Sequence, residues 1–338
     1  MTPLSTPSPA AIEVTGLRKS FGDTLVLDAI DLRVLPGQVF ALLGPNAAGK
    51  TTTVQVLCTL LRPDSGRVRV AGHDLVQAPD AIRAAIGVTG QFSAVDNLLT
   101  GRENLRLMAD LHHLDREGGS RRAEQLLDRF ELTDAADRPP ATYSGGMIRR
   151  LDLAMTLMHQ PEVLFLDEPT TGLDPRSRHT MWRIVRDLVA DGVTVFLTTQ
   201  YLEEADQLAD EIAVLDHGRI VASGTPDQLK RQVGGGHVTL RFASPDGLSD
   251  VVGRLENVTV DEHSLSVQVP SDGSVQALRD LLAHLDHHAV DIDELSTHAP
   301  NLDDVFFALT GSDTREAPAR AEAPARAEEP ARAEEAAR

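Results

Sequence analysis

The stretch VFALLGPNAAGKTT (39–52) limits what this chain can fold into more than any other. A run of strand-type apolar residues leads into Gly44. Gly49, Lys50 and Thr51 then complete the spacing G-x-x-x-x-G-K-[ST] where a helical segment, TTVQVLCTLL, opens. A strand, a tight turn and a helix in that order aim backbone N–H groups and a helix N-terminus at one point, which suits a polyphosphate. The loop backbone from Gly44 through Pro45, Asn46, Ala47, Ala48 and Gly49 to Thr52 would wrap the phosphates. Lys50 would reach the outer ones, and the Thr51 hydroxyl can ligate Mg²⁺.

A phosphate loop needs acids elsewhere, and VLFLDE (163–168) supplies them at the end of an apolar strand run. Asp167 would hold the Mg²⁺ shell and Glu168 would orient and activate an attacking water. A third feature, YSGGMIRRLDLA (143–154), puts Ser144, Gly145 and Gly146 before a helix, where a hydroxyl and bare backbone amides can approach an anion closely. By itself this would be a glycine turn with a serine cap. Between the other two motifs it reads as part of one nucleotide machine.

The surrounding pattern is α/β. Short β-branched runs at VFALLG (39–44), IGVTG (86–90), VLFLDE (163–168), VTVFLTT (193–199) and IAVLDHGRIVASG (212–224) read as buried parallel strands. Between about 98 and 160 they give way to helical spacing, a helical insertion in the domain at 11–225. A glycine hinge at 226–236 leads to a second unit at 237–311. There HVTLRFA, VVGRL, NVTV, LSVQV, VQALRDLLAHL and VDIDELS give strand, helix, two strands, helix and strand, the order of a ferredoxin-like split βαβ. NLDDVFFALTG reads as a closing amphipathic helix. The leader at 1–10 and the Ala/Glu/Pro/Arg repeats at 312–338 read as disordered, because such segments cannot bury enough apolar surface to offset their ordering entropy.

Charge and composition exclude other classes. A net charge of -19 argues against a nucleic-acid surface, which needs basic patches to meet phosphates. No run of about 18 apolar residues is present, so a membrane role must come through a partner. Cys58, the single cysteine, rules out an internal disulfide and sits in the apolar run VQVLCTLL as a buried thiol in a reducing compartment. His284 and His288 stand four residues apart on a helix, without the further ligands a metal site needs. Arg149 and Arg150 read as packing or ion-pair residues beside the serine-glycine turn.

With SGG lying between the phosphate loop and LFLDEPTTGLDP, residues 12–225 resemble the ATP-binding cassette (ABC) family. The resemblance implies further roles. Phe21 in KSFGD would stack on adenine. Gln91 in VTGQF would sense Mg²⁺ and couple to a membrane partner, and Asp174 in GLDP would bridge the two halves of a dimer. Such domains close head to tail as a homodimer, so residues 144–147, Met147 included, would complete the site on the other chain's ATP. TGQFSAVDNLLTGRENL, LTTQYLEEADQLAD and NLDDVFFALTG are similar to the ATP-binding subunits of daunorubicin and doxorubicin resistance exporters, whose permease is a separate polypeptide. That implies an ATP hydrolase on the cytoplasmic face of the cell membrane, driving efflux of a drug that contacts the permease and not this chain.

Two residues depart from the family pattern. Ala47 stands where a glycine is usual. If the position requires φ > 0, an L-residue costs about 1–2 kcal/mol, or about 5- to 30-fold in nucleotide affinity. Gln200 stands where most ABC proteins carry a histidine against the γ-phosphate; it can position but does not titrate near neutral pH. Glu168 is then the principal base, with Gln200 beside it. Two alternatives stay open at this point: a cassette protein acting on nucleic acid or ribosomes, and an ATP-gated assembly subunit that binds without turnover.

Overall fold

The computed structural model describes residues 9–310, apart from 91–92, 234–235, 253–254, 256, 262, 272–273, 288–289, 291 and 299. The expected leader and tail lie almost wholly outside the described residues. The chain opens with β1 (Ile12–Phe21) and β2 (Thr24–Val34), an antiparallel hairpin closed by a two-residue turn in which Gly22 takes φ 57°. β3 (Val39–Leu43) runs into the phosphate loop and α1 (Lys50–Leu57). β4 (Ser65–Val70) and β5 (His73–Asp74) join the hairpin, giving an antiparallel sheet in the order β2-β1-β4-β5. The apolar strand runs of the sequence do not reveal this sheet, although alternation at Ile12 and Val14, and at Ile30, Leu32 and Val34, is its period-two signal.

α2 (Pro79–Ala85) and β6 (Ile86–Thr89) follow, then the helical insertion: α3 (Gly101–Leu111), α4 (Arg116–Arg129) and α5 (Gly145–Thr156). Local chemistry starts each of these three helices. Thr100 and Glu103 form a reciprocal capping box on α3, Asp115 caps α4 and Ser144 caps α5. β7 (Val163–Asp167), α6 (Pro175–Ala190), β8 (Thr194–Thr199), α7 (Leu202–Leu208), β9 (Glu211–Asp216), β10 (Arg219–Gly224) and α8 (Pro226–Val233) complete the first unit.

The second sheet has the order β10-β9-β3-β8-β7-β6, parallel except for β10. The run 212–224, expected as buried parallel strand, is therefore a hairpin with an antiparallel, half-exposed edge strand. His217 and Gly218, at φ 44° and 74°, both occupy the left-handed region that a tight two-residue hairpin turn demands. Alternate residues of the parallel strands serve two cores. Val39, Ala41, Leu43, Leu164, Leu166, Val195 and Leu197 face α3 to α7, whereas Phe40, Leu42, Phe165 and Phe196 face α1 and the antiparallel sheet. Cys58 is buried in that second core, and burial pushes its thiol far above the ordinary range.

The small unit comprises β11 (His237–Arg241), α9 (Pro245–Val252), β12 (Thr259–Asp261), β13 (Ser266–Pro270), α10 (Val275–His287) and β14 (Glu294–His298). Its sheet order β12-β13-β11-β14, antiparallel throughout, is the ferredoxin-like arrangement, and it encloses its own core around Leu240, Phe242, Val267 and Leu285. The closing helix α11 (Leu302–Thr310) does not join that core. Leu302 and Val305 pack with Leu229 of α8 and the helices of the first unit. α9 and α10 already supply Leu248, Val251 and Leu285 to the small core, so the apolar stripe of α11 finds its partner in the first unit.

Candidate nucleotide site

A cavity of about 570 Å³ opens at the C-terminal ends of β3, β7 and β8, where parallel strands leave a crevice for ligands. Asn46, Ala47, Gly49, Lys50, Thr51, Thr52, Glu168 and Gln200 line it. Two lining residues, Val26 of β2 and Thr171, were not singled out from the sequence: β2 belongs to the sheet the strand runs did not reveal, and Thr171 lies within LFLDEPTTGLDP without carrying a role of its own in that reading.

The loop is built around backbone constraints. A Cβ on Gly44 would come within 2.3 Å of the Leu215 carbonyl oxygen, and one on Gly49 within 2.7 Å of Leu27 Cδ2. Gly49 also takes φ 110° as the N-cap of α1. Ala47 has φ 64°, so the position does hold an L-residue in the left-handed region. Ala48 is buried beside Gly44 and accepts from Gly218 N through its carbonyl. Pro45, like Gly44, turns its carbonyl to the Lys50 ammonium, with Nζ donating over 2.9 Å to Gly44 and 3.1 Å to Pro45.

Lys50 is almost fully buried and lies 3.6 Å from Glu168 Oε1. Burial pulls its pKa below the usual lysine range, opposed by the carboxylates of Glu168 and Asp167. Asp167 Oδ1 accepts from the Thr198 hydroxyl at 2.5 Å and faces the Thr51 hydroxyl at 3.4 Å. Thr198 is a partner the sequence did not single out, though LTT at the end of a buried strand marks its place. Glu168 takes φ 49°; its N–H donates to the Thr198 carbonyl and hydroxyl, both at 3.1 Å, and Oε2 accepts from Thr171 at 3.3 Å. The clustered oxygens of Thr51 and Asp167 suit a hard cation such as Mg²⁺, which takes one or two protein oxygens plus phosphate.

Other expected site residues lie elsewhere. Gln91 and His288 are outside the described residues, and among the described residues no cluster of three His, Cys, Asp or Glu could hold a metal. Phe21 is 49% exposed at the tip of the first hairpin, with the Lys19 ammonium 5.6 Å from its ring centre; it is no core aromatic, nor does it line the cavity. Asp174 caps α6, accepting from Ser177 N–H at 3.0 Å and its hydroxyl at 2.6 Å, and these bonds hold its carboxyl below the ordinary range.

The serine-glycine turn does not line this cavity. Ser144 accepts from Met147 N at 3.3 Å to cap α5, and Ser144 and Gly145 are exposed, with nothing within 4 Å of a Cβ placed on Gly145. Gly146 is buried against Ser177, whose Oγ a Cβ there would approach to 2.4 Å. Of the two arginines that follow, Arg150 donates to the Phe130 carbonyl and pairs with Glu131, while Arg149 turns inward beneath the β7 end.

Comparison with known proteins matches this geometry to a family. The ABC transporter model covers residues 27–171, and a model of the ATP-binding protein DrrA1-3-like C-terminal domain covers 224–310. The chain is 50% identical over 307 residues to the daunorubicin resistance ATP-binding protein DrrA3 of Streptomyces coeruleorubidus, covering 90% of this chain and 97% of that one. It is 47% identical to the daunorubicin/doxorubicin resistance ATP-binding protein DrrA of Streptomyces peucetius (91% and 94% covered). It is 38% identical to the Nod factor export ATP-binding protein I of Sinorhizobium fredii (91% and 88%). Among solved structures, an ATP-binding subunit of an ABC transporter superposes with a TM-score of 0.60 at 30% identity, covering 66% of this chain and 92% of that one. The cavity built from phosphate loop and acidic strand end, the helical insertion and these matches over both units agree: the chain belongs to the ATP-binding proteins of ABC transporters, the ATP-hydrolysing family that includes the daunorubicin and doxorubicin resistance subunits.

Proposed function

We propose that this protein hydrolyses ATP as the motor of a drug exporter, working as a head-to-tail pair of chains on the cytoplasmic face of a separate membrane permease. The observation that carries this reading is the division of the site. One chain lines its cavity with the phosphate loop, Glu168 and Gln200, while Ser144 and Gly145 stand exposed outside it. An exposed helix N-terminus with a free glycine backbone is suited to a phosphate brought by a second copy.

In the closed pair, Lys50 and the loop amides hold the β- and γ-phosphates. Thr51 and Asp167, with Gln91, would hold Mg²⁺, which would supply charge neutralisation on the phosphate oxygens. Glu168 orients the attacking water and draws its proton, and Gln200 donates to the γ-phosphate without titrating. Phe21 stacks on the adenine, residues 144–147 of the second copy close over the triphosphate, and Asp174 lies along the seam. Similarity to daunorubicin resistance subunits points to an anthracycline-like cargo recognised by the permease. Among the described residues, no helix is long and apolar enough to cross a membrane, which accords with a peripheral subunit.

Two measurements test this. With the permease present, Glu168→Gln should lower ATP turnover by about 10²-fold or more while retaining nucleotide binding; equal rates would overturn the base assignment and favour an ATP-gated assembly subunit. Ser144→Cys and Asn46→Cys chains, mixed with MgATP, should crosslink to twice the chain mass, Cys58 being buried and silent. Absence of that product with ATP bound would remove the head-to-tail pair.

A further inference from the structure

Glu168 occupies a backbone conformation that an L-residue holds only when its surroundings enforce it, with φ 49°. Its own N–H is tied to Thr198, as described. The carbonyls on either side of it are held by one side chain. Arg149 donates through Nη2 to the Asp167 carbonyl at 3.2 Å and through Nε to the Pro169 carbonyl at 3.0 Å. The guanidinium thus brackets the left-handed residue from both flanks.

The same guanidinium reaches a second segment. Nη1 donates to the Gly90 carbonyl at 2.8 Å and lies 3.3 Å from Asp152 Oδ2, one turn along α5. Asp152 Oδ1 accepts in turn from Ala94 N at 3.0 Å. The pair is buried, with side-chain exposures of 12% for Arg149 and 3% for Asp152. A planar fork can serve four acceptors in one plane, which an ammonium cannot. Burying a charge at this cost for packing alone would be poor economy, since apolar residues of similar size stabilise at least as well.

We propose that Arg149 is a positioning residue: together with Asp152 it holds Glu168 in its catalytic backbone conformation and ties that conformation, and the backbone at Gly90 and Ala94, to the helix that begins at the Ser144–Gly146 turn. Movement of that helix on meeting the other copy's nucleotide then shifts the hydrolytic carboxylate of its own chain. Arg149 itself does not line the nucleotide cavity. The inference rests on the reading of Glu168 as the base and of the turn as acting on a second copy.

The test compares full-length wild type, Arg149→Lys, Arg149→Met, Glu168→Gln and the Arg149→Lys/Glu168→Gln double variant, each with the permease. The single arginine variants should bind a nucleotide analogue within about twofold of wild type yet lose roughly tenfold or more in kcat, because misplacing a reacting group by an ångström can cost about 10²-fold. Since Arg149 acts through Glu168, Arg149→Lys should cause no further loss in the Glu168→Gln background. Additive losses, or loss of binding in parallel with kcat, would overturn the proposal. If Arg149→Met fails to fold, the Lys variant decides. Amide exchange in the isolated chains reads the clamp without turnover: peptides spanning 86–94 and 163–171 should exchange faster in Arg149→Lys. Unchanged exchange there sinks the clamp, whereas faster exchange alongside equal wild-type and Glu168→Gln rates sinks only the base assignment.

Discussion

Replacing Ala47 by glycine probes the one residue of the phosphate loop that departs from the usual pattern. Ala47 has φ 64°, a conformation that costs an L-residue about 1–2 kcal/mol and glycine nothing. Glycine adds back a conformational entropy cost of about 0.5–1 kcal/mol when the loop is ordered. The net gain is about 0.5–1 kcal/mol, smaller than the full strain. If the loop adopts this conformation only around nucleotide, the gain appears as about 2- to 5-fold tighter binding. If the loop holds it throughout, the gain appears as a Tm raised by roughly 1–4 °C. Titrating a non-hydrolysable nucleotide analogue and following thermal unfolding on the same two proteins captures both cases. An Ala47→Gly variant with neither tighter binding nor a higher Tm would refute the claim that this residue stores strain.

Two further substitutions test the frame of the site. Gly44→Ala drives a Cβ to 2.3 Å from the Leu215 carbonyl oxygen, backbone that cannot swing aside, so it should destabilise the fold by about 1–3 kcal/mol and weaken nucleotide binding; an unchanged denaturation midpoint would contradict that packing. Glu204 of α7 is fully buried, accepting from Trp182 Nε1, and burial raises its carboxyl above the ordinary range against that opposing hydrogen bond. A raised carboxylate pKa makes folding costlier as pH climbs past 4.5, a penalty absent below it. Glu204→Gln should therefore gain in Tm relative to wild type between pH 4.5 and 8, and a gap that moves the other way would show the carboxylate is stabilised as an anion.

Residues that act through their immediate neighbours in the chain were legible without a structure. Gly44, Gly49, Lys50 and Thr51 declare a phosphate loop because strand, turn and helix follow one another within fourteen residues, and the βαββαβ order of the small unit follows from period and punctuation alone. Ser144 announces a helix start for the same reason, since a cap bonds two or three residues ahead. What the folded chain alone decided are relations between segments far apart in sequence. Thr198 reaches Asp167 across two neighbouring strands, Val26 enters the cavity from another sheet, and α11 leaves the unit it follows to cover α8. Arg149 could be seen beside the serine-glycine turn, but the three carbonyls it binds belong to the distant residues 90, 167 and 169. A side chain's donors carry no mark of their partners until parallel strand pairing, set by burial on both faces of the sheet, has brought those carbonyls together.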